Sequence, residues 1–134
     1  MMLMYPGPKA ESGGLPNPEA VALMTKYNAE LQKAGVLLAL DGLHPTAKGA
    51  RVTFAGGKPA VMDGPFAEAK EIIGGYWMIQ VRSREEAIEW AKRCPAYEDQ
   101  FIELRQVFEM ADFTNLSPEQ VAAAEAVGRG ARKD

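Results

Sequence analysis

Apolar and polar positions along this chain follow two periods, and the switches between them mark its elements. Met1 to Tyr5 is a short apolar run that predicts a buried strand. Pro6 to Pro16 is rich in proline, glycine and serine and reads as a loop. Asn17 follows as a helix N-cap, with Pro18 at the first helical position and Glu19 in the first turn, where negative charge is favoured. Val21, Met24, Tyr27, Leu31 and Ala34 then recur at steps of three and four, one face of a helix that Gly35 stops. Val36 to Leu40 is continuously apolar and predicts an interior strand.

Gly56-Gly57, between Ala50–Phe54 and Lys58–Met62, predicts a hairpin with a two-residue turn. Ile73 to Val81 is β-branched and aromatic, another strand. Ser83 and Glu86 have capping-box spacing and open a helix carrying Ala87, Ile88, Trp90, Ala91 and Cys94, which Pro95 ends. Phe101 to Val107 alternates imperfectly and predicts the last strand. Ser117-Pro118-Glu119-Gln120 is a second capping box, starting an Ala-rich helix that Gly128 is expected to end. The order predicts an α+β fold of the ferredoxin-like split βαβ type, with an inserted β-hairpin and an extra C-terminal helix. Two helices cover one face of such a sheet. The bare opposite face is an association hazard, so the hairpin, the last helix or a second copy must cover it, and a homodimer is expected.

With 134 residues, 47% of them apolar, the chain is one domain with room for a core. A net charge of -3 gives no reason to expect direct nucleic-acid binding, and Arg129, Arg132 and Lys133 are too few for a binding arm. Cys94 is the single cysteine, which excludes an internal disulfide and suits a small buried hydrophobe. The N-terminal apolar run is too short for a signal peptide or a membrane span, so a reducing cytoplasm is the expected location and no membrane partner is expected. One histidine and one cysteine cannot make an ordinary zinc site. Gly74-Gly75 precedes a strand, not a helix, so it is no phosphate loop. No Ser-centred nucleophile elbow and no nicotinamide, flavin or haem signature occurs, so no cofactor is expected.

Chemistry concentrates at two loops. Asp63-Gly64-Pro65-Phe66 presents an acid on a stiff bend with an aromatic ring behind it, ahead of a short polar helix-like segment from Ala67 to Glu71. In a purely structural role Asp63 would bond within its own turn and Phe66 would plug the core. His44, the only histidine, follows the second strand and precedes Pro45. In the ferredoxin-like order the second strand ends beside the start of the strand that follows Asp63, so the two loops share one end of the sheet. A carboxylate beside an imidazole fixes its tautomer and makes a general acid or base, which assigns His44 and Asp63 as the candidate catalytic pair. Lys48 and Arg51 flank the same loop and could neutralise an anionic substrate. Tyr76 and Trp77 face opposite sides of their strand, one towards the helices and one towards the open face, where it would wall a pocket with Phe66. Arg105 and Glu109, near the last strand, are weaker candidates for lining residues.

Asp63-Gly64-Pro65-Phe66 resembles the signature of the DGPF, or YCII-related, family of small bacterial proteins. Gly42-Leu43-His44-Pro45, Lys48-Gly49-Ala50-Arg51-Val52, Gly74-Gly75-Tyr76-Trp77, Glu86-Ala87-Ile88-Glu89-Trp90-Ala91 and Glu103-Leu104-Arg105-Gln106-Val107 fit it in the same order. The resemblance covers residues 1 to 113, leaving 114 to 134 as a C-terminal helix and tail, and it is to the longer branch with the His-Pro loop. It implies a dimeric α+β barrel type of fold, with dimers packed sheet to sheet. Shorter relatives pair a histidine on the first helix with a loop aspartate. That helix position falls near Met24 here, so the pair transfers only if His44 substitutes. The resemblance carries no assigned reaction; the residues themselves, His44 with Asp63 and no cofactor signature, point to cofactor-independent proton transfer, of lyase or isomerase type, on a small polar or anionic molecule. The alternative is a non-catalytic ligand-binding or regulatory module, since family members often occur beside or fused to extracytoplasmic-function sigma factors.

Overall fold

A computed structural model of the chain describes residues 1–66 and 71–131. The polar segment expected from Ala67, as far as Lys70, and the tail residues Arg132 and Lys133 lie outside the described residues. The elements run β1 (Met2–Tyr5), α1 (Gly7–Glu11), α2 (Pro18–Lys33), β2 (Leu37–Gly42), β3 (Ala50–Thr53), β4 (Ala60–Asp63), β5 (Gly75–Ile79), α3 (Arg84–Lys92), β6 (Phe101–Leu104) and α4 (Pro118–Ala131). Four strands form one sheet in the order β2-β5-β1-β6, with every neighbouring pair antiparallel. This is the ferredoxin-like order. β3 and β4 pair only with each other, as a separate two-stranded ribbon.

Local signals place the helices well. The Asn17 side chain accepts the Ala20 amide at 2.7 Å, and Ser83 accepts the Glu86 amide at 3.1 Å, so both helix starts are capped as expected. Gly35, at φ 75, takes the left-handed conformation that ends α2. The start of α4 carries a reciprocal box: Gln120 donates its amide to Ser117 at 3.2 Å, and Ser117 donates its own to Gln120 at 2.9 Å.

Four expectations are corrected. The Pro6–Pro16 loop contains α1, because Pro8 lies in a first turn whose amides need no partner, and proline is tolerated there. β2 is an edge strand and every residue in it after Leu37 is exposed, so its apolar run does not mark an interior position. The hairpin turn is not two residues long: Thr53 pairs with Ala60, and residues 54 to 59 connect them. Pro59 has no N–H with which to extend the ladder towards Gly56-Gly57. Gly128 does not end α4, which continues to Ala131. An exposed helical glycine costs only about 1 kcal/mol against alanine, and the Ala-rich run tolerates that.

The core lies between the sheet and its two long helices. Met2, Met4 and Trp77 point in from the sheet, Tyr27 and Leu31 from α2, and Trp90 from α3. Tyr27 meets Trp77 edge to face at 6.0 Å and donates its hydroxyl to the Trp90 carbonyl at 2.7 Å. The Trp77 indole donates to Asn28 at 2.8 Å, which satisfies its one polar atom. On the opposite sheet face lie Leu3, Tyr5, Tyr76, Met78, Phe101 and Glu103, paired across strands by register. None of these is fully buried.

Candidate functional site

β2 and β5 bring the two loops to one end of the sheet, as the topology requires. Gly42 pairs with Gly75, and Leu43 donates to the Gly74 carbonyl at 2.9 Å, so His44 leaves the sheet directly beside the start of β5. A cavity of ≈ 930 Å³ opens there, with His44 on its wall. Met4, Leu15 and Leu43 supply its apolar surface, while Lys9, Glu98 and Asp99 bring both signs of charge. Its size is that of a small-molecule pocket with a few convergent polar groups.

The Asp63-Gly64-Pro65-Phe66 loop lies beside the His44 loop in a different way from the one expected. Gly64 donates its amide to the Gly49 carbonyl at 3.0 Å, and a side chain on Gly64 would run into the Thr46 carbonyl oxygen. The backbone of one loop is thus laid on the backbone of the other, which only glycine permits. The Gly64-Pro65 peptide bond is cis. Phe66 donates its amide to the Thr46 hydroxyl oxygen at 3.0 Å. The Thr46 hydroxyl donates to the Glu11 carboxylate, which also accepts the Thr46 amide at 3.1 Å. Three segments, α1, the His-Pro loop and the Gly-Pro loop, therefore meet at Thr46. The motif clips the histidine's loop in place.

Asp63 itself closes β4 opposite Ala50 and is exposed. Among the described residues, no hydrogen bond or ion pair joins Asp63 to His44, and Asp63 is not on the cavity wall. Arg51 lies over the Phe66 ring, 4.0 Å from its centroid, a cation–π contact that accounts for both side chains. Lys48 is exposed at the end of the short helical turn after Pro45. Trp77 faces the helices and is buried; Tyr76 faces the open side and donates to Asp41 at 2.7 Å, a bond that pushes its hydroxyl pKa up. Arg105 and Glu109 lie at the far end of the sheet, on a separate cavity. Of the residues marked from sequence, His44 alone stands on the larger cavity's wall.

Lys9, Glu98 and Asp99 were not legible. They reach the cavity because β1 pairs with β6, which brings the segment before β6 against the residues after β1: Gln100 donates its side-chain amide to the Pro6 carbonyl at 3.2 Å. No local pattern announces such a long-range meeting. Glu11 and Thr46 carry no signature either, since their roles exist only once three segments are assembled. Among the described residues, no cluster of three or more His, Cys, Asp or Glu side chains is placed to hold a metal ion. No helix among them is long and apolar enough to cross a membrane.

The family model of the YCII-related domain matches residues 1–111. An uncharacterised protein of Rhizobium meliloti is 40% identical over 60 residues, covering 45% of this chain and 48% of that protein. The chain thus spans about half the length of that curated relative.

Proposed function

The chain belongs to the YCII-related domain family, and from that premise we propose that it binds a small polar or anionic organic molecule in the ≈ 930 Å³ cavity beside His44 and transfers a proton there without a cofactor. The observation that carries this reading is the position of the chain's one histidine on the wall of that cavity. Imidazole gives or takes a proton near neutral pH and needs no metal to do so. Lys9 would balance an anionic group, and Glu98 or Asp99 would supply the carboxylate first sought in Asp63. Asp63 retains a role at the loop that positions His44. The reaction class is lyase- or isomerase-like.

A second reading is favoured by one observation. His44 has no hydrogen-bond partner among the described residues, whereas a general base is ordinarily oriented by one. On this reading the protein is a binding or regulatory module. We further propose a homodimer packed through the open sheet face, a cytoplasmic location, and a division between residues 1–113 and a C-terminal helix and tail, 114–134.

Small carboxylates and phenols, screened by thermal shift, should include ligands that raise the melting temperature, because a ligand bound only by the folded state stabilises it. His44→Ala should fold as wild type and lose that shift. Turnover of such a ligand that disappears in His44→Ala establishes proton transfer; binding without turnover favours the module. A hit whose effect survives both His44→Ala and Asp99→Asn would refute the placement of the site.

A further inference from the structure

A second cavity, of ≈ 520 Å³, lies at the other end of β5, where Ile79 leads through Val81 to the start of α3. Three arginines line it, Arg82, Arg84 and Arg105, against one carboxylate, Glu109. That is a cationic cleft on a chain whose net charge is -3. Two other arginines among the described residues are occupied: Arg51 lies over Phe66 and Arg93 over Trp90. The guanidiniums of Arg82 and Arg84 have no ion-pair, ring or hydrogen-bond partner among the described residues; the Arg82 backbone amide donates to the Glu86 carboxylate at 2.9 Å. Arg105 has a single exposed contact with Glu103 at 3.4 Å, a pair that a ligand can readily replace.

Helix stability does not explain the placement. Arg84 is the first residue of α3, where the helix macrodipole disfavours a cation, and Arg82 stands just before the N-cap. Glu85 and Glu86 in the first turn suit the helix start, whereas the two exposed guanidiniums bring it no stability. An anion in the cleft would give both guanidiniums a partner. The planar fork of a guanidinium matches the two oxygens of a carboxylate or a phosphate group. Val81, Leu104 and Ala87, all half-buried, supply an apolar floor to the same cleft.

We propose that this cleft is a second binding site, separate from the His44 cavity, for a small organic oxyanion: a carboxylate or phosphate monoester head group on a compact apolar body. The head group is held by Arg82 and Arg84, with Arg105 turning from Glu103 to join them, and the body rests on the floor.

Calorimetric titration of the full chain with phenylacetate, phenyl phosphate and inorganic phosphate tests this. Both phenyl compounds should bind, and phenyl phosphate should bind more tightly than inorganic phosphate, which has no body; whichever phenyl probe is the tighter identifies the head group. Arg82→Gln with Arg84→Gln should weaken binding at least about tenfold, the loss of one charge-assisted hydrogen bond, while Lys26→Gln, an exposed change that lines neither cavity, leaves it unchanged. Arg105→Gln, a single exposed change, serves as the independent variant if circular dichroism shows the double variant unfolded, and it should weaken binding in the same direction. Failure of both phenyl compounds to bind, equal affinity for phosphate and phenyl phosphate, unchanged binding in a folded arginine variant, or an equal loss in Lys26→Gln would each overturn the proposal.

Discussion

The hydroxyl of Thr46 accepts the Phe66 amide at 3.0 Å and donates to Glu11, so one small side chain ties two loops to α1. Thr46→Val keeps the shape and removes both bonds, leaving the half-buried Glu11 carboxylate and the Phe66 amide short of a partner. The expected cost is about 1–3 kcal/mol in urea unfolding. Gly64→Ala should cost a similar amount, about 1–3 kcal/mol, because its methyl group would have to displace the Thr46 backbone. If Asp63-Gly64-Pro65-Phe66 instead served chiefly to present Asp63, Asp63→Asn would cost function and these two variants would cost little stability. Cys94 is a second residue-scale case. An unfolded thiol ionises near pH 9.0, while burial holds the folded one at about 11. Above pH 9 the unfolded state therefore loses its proton first, so stability should be whole below that pH and fall as pH climbs towards 11. Urea midpoints at pH 8 and pH 10.5 should show the fall, and Cys94→Ser should make it shallower; the thiol should also react slowly with thiol reagents at neutral pH. Its half-buried place just past α3 follows the amphipathic pattern that runs up to Pro95. The role of Thr46 was not legible, because nothing in residues 44 to 49 tells which distant carboxylate they will meet.

Elements governed by near neighbours follow the sequence closely. The caps of α2, α3 and α4 each lie within four residues of the groups they satisfy, so pattern and structure agree. Asn17→Ala should accordingly destabilise the protein by about 1 kcal/mol, with Asn17→Asp restoring most of it, as read from urea midpoints. No change would mean that tertiary packing alone holds the start of α2. The misread elements are those where position in the sheet decides. Whether Val36 to Leu40 is central or lateral depends on which strands flank it, and an apolar run cannot state that. Its exposed Leu38 and Leu40, 57% and 37% accessible, fit an edge. The β3–β4 ribbon is a related case: its strands were legible, but its turn length is set by where Pro59 interrupts the ladder.

At the scale of the whole molecule, the strand order was legible because β-α-β units joined by short connections leave few topologies open. What covers the sheet's second face was not, and the surface area bears on it. The chain exposes 10332 Å², whereas a compact monomer of its 14.6 kDa mass would expose roughly 6,900 Å². Some of the excess belongs to the β3–β4 ribbon, exposed along its whole length, and to α4, most of whose described residues face solvent. The rest includes an open sheet face carrying Leu3, Tyr5, Met78 and Phe101, with Tyr5 and Phe101 stacked at 3.9 Å. An obligate pair removes on the order of 1,000–2,500 Å² from each subunit, which this excess can supply. The buried core, eight apolar residues among those described, is small for a chain of 134 and leaves stability for an interface to provide. The protein should therefore run as a dimer by light scattering at micromolar concentration, with a melting temperature that rises with protein concentration. Met78→Glu places a charge at the middle of the open face, paired in register with Ala39 on the neighbouring strand. It should yield a monomer of lower stability with unchanged secondary structure, whereas an exposed change on the far surface, such as Lys26→Glu, should leave the dimer intact. A wild-type monomer, or a Met78→Glu dimer indistinguishable from wild type, would place the covering of that face within the chain itself, with α4 as the element to test next.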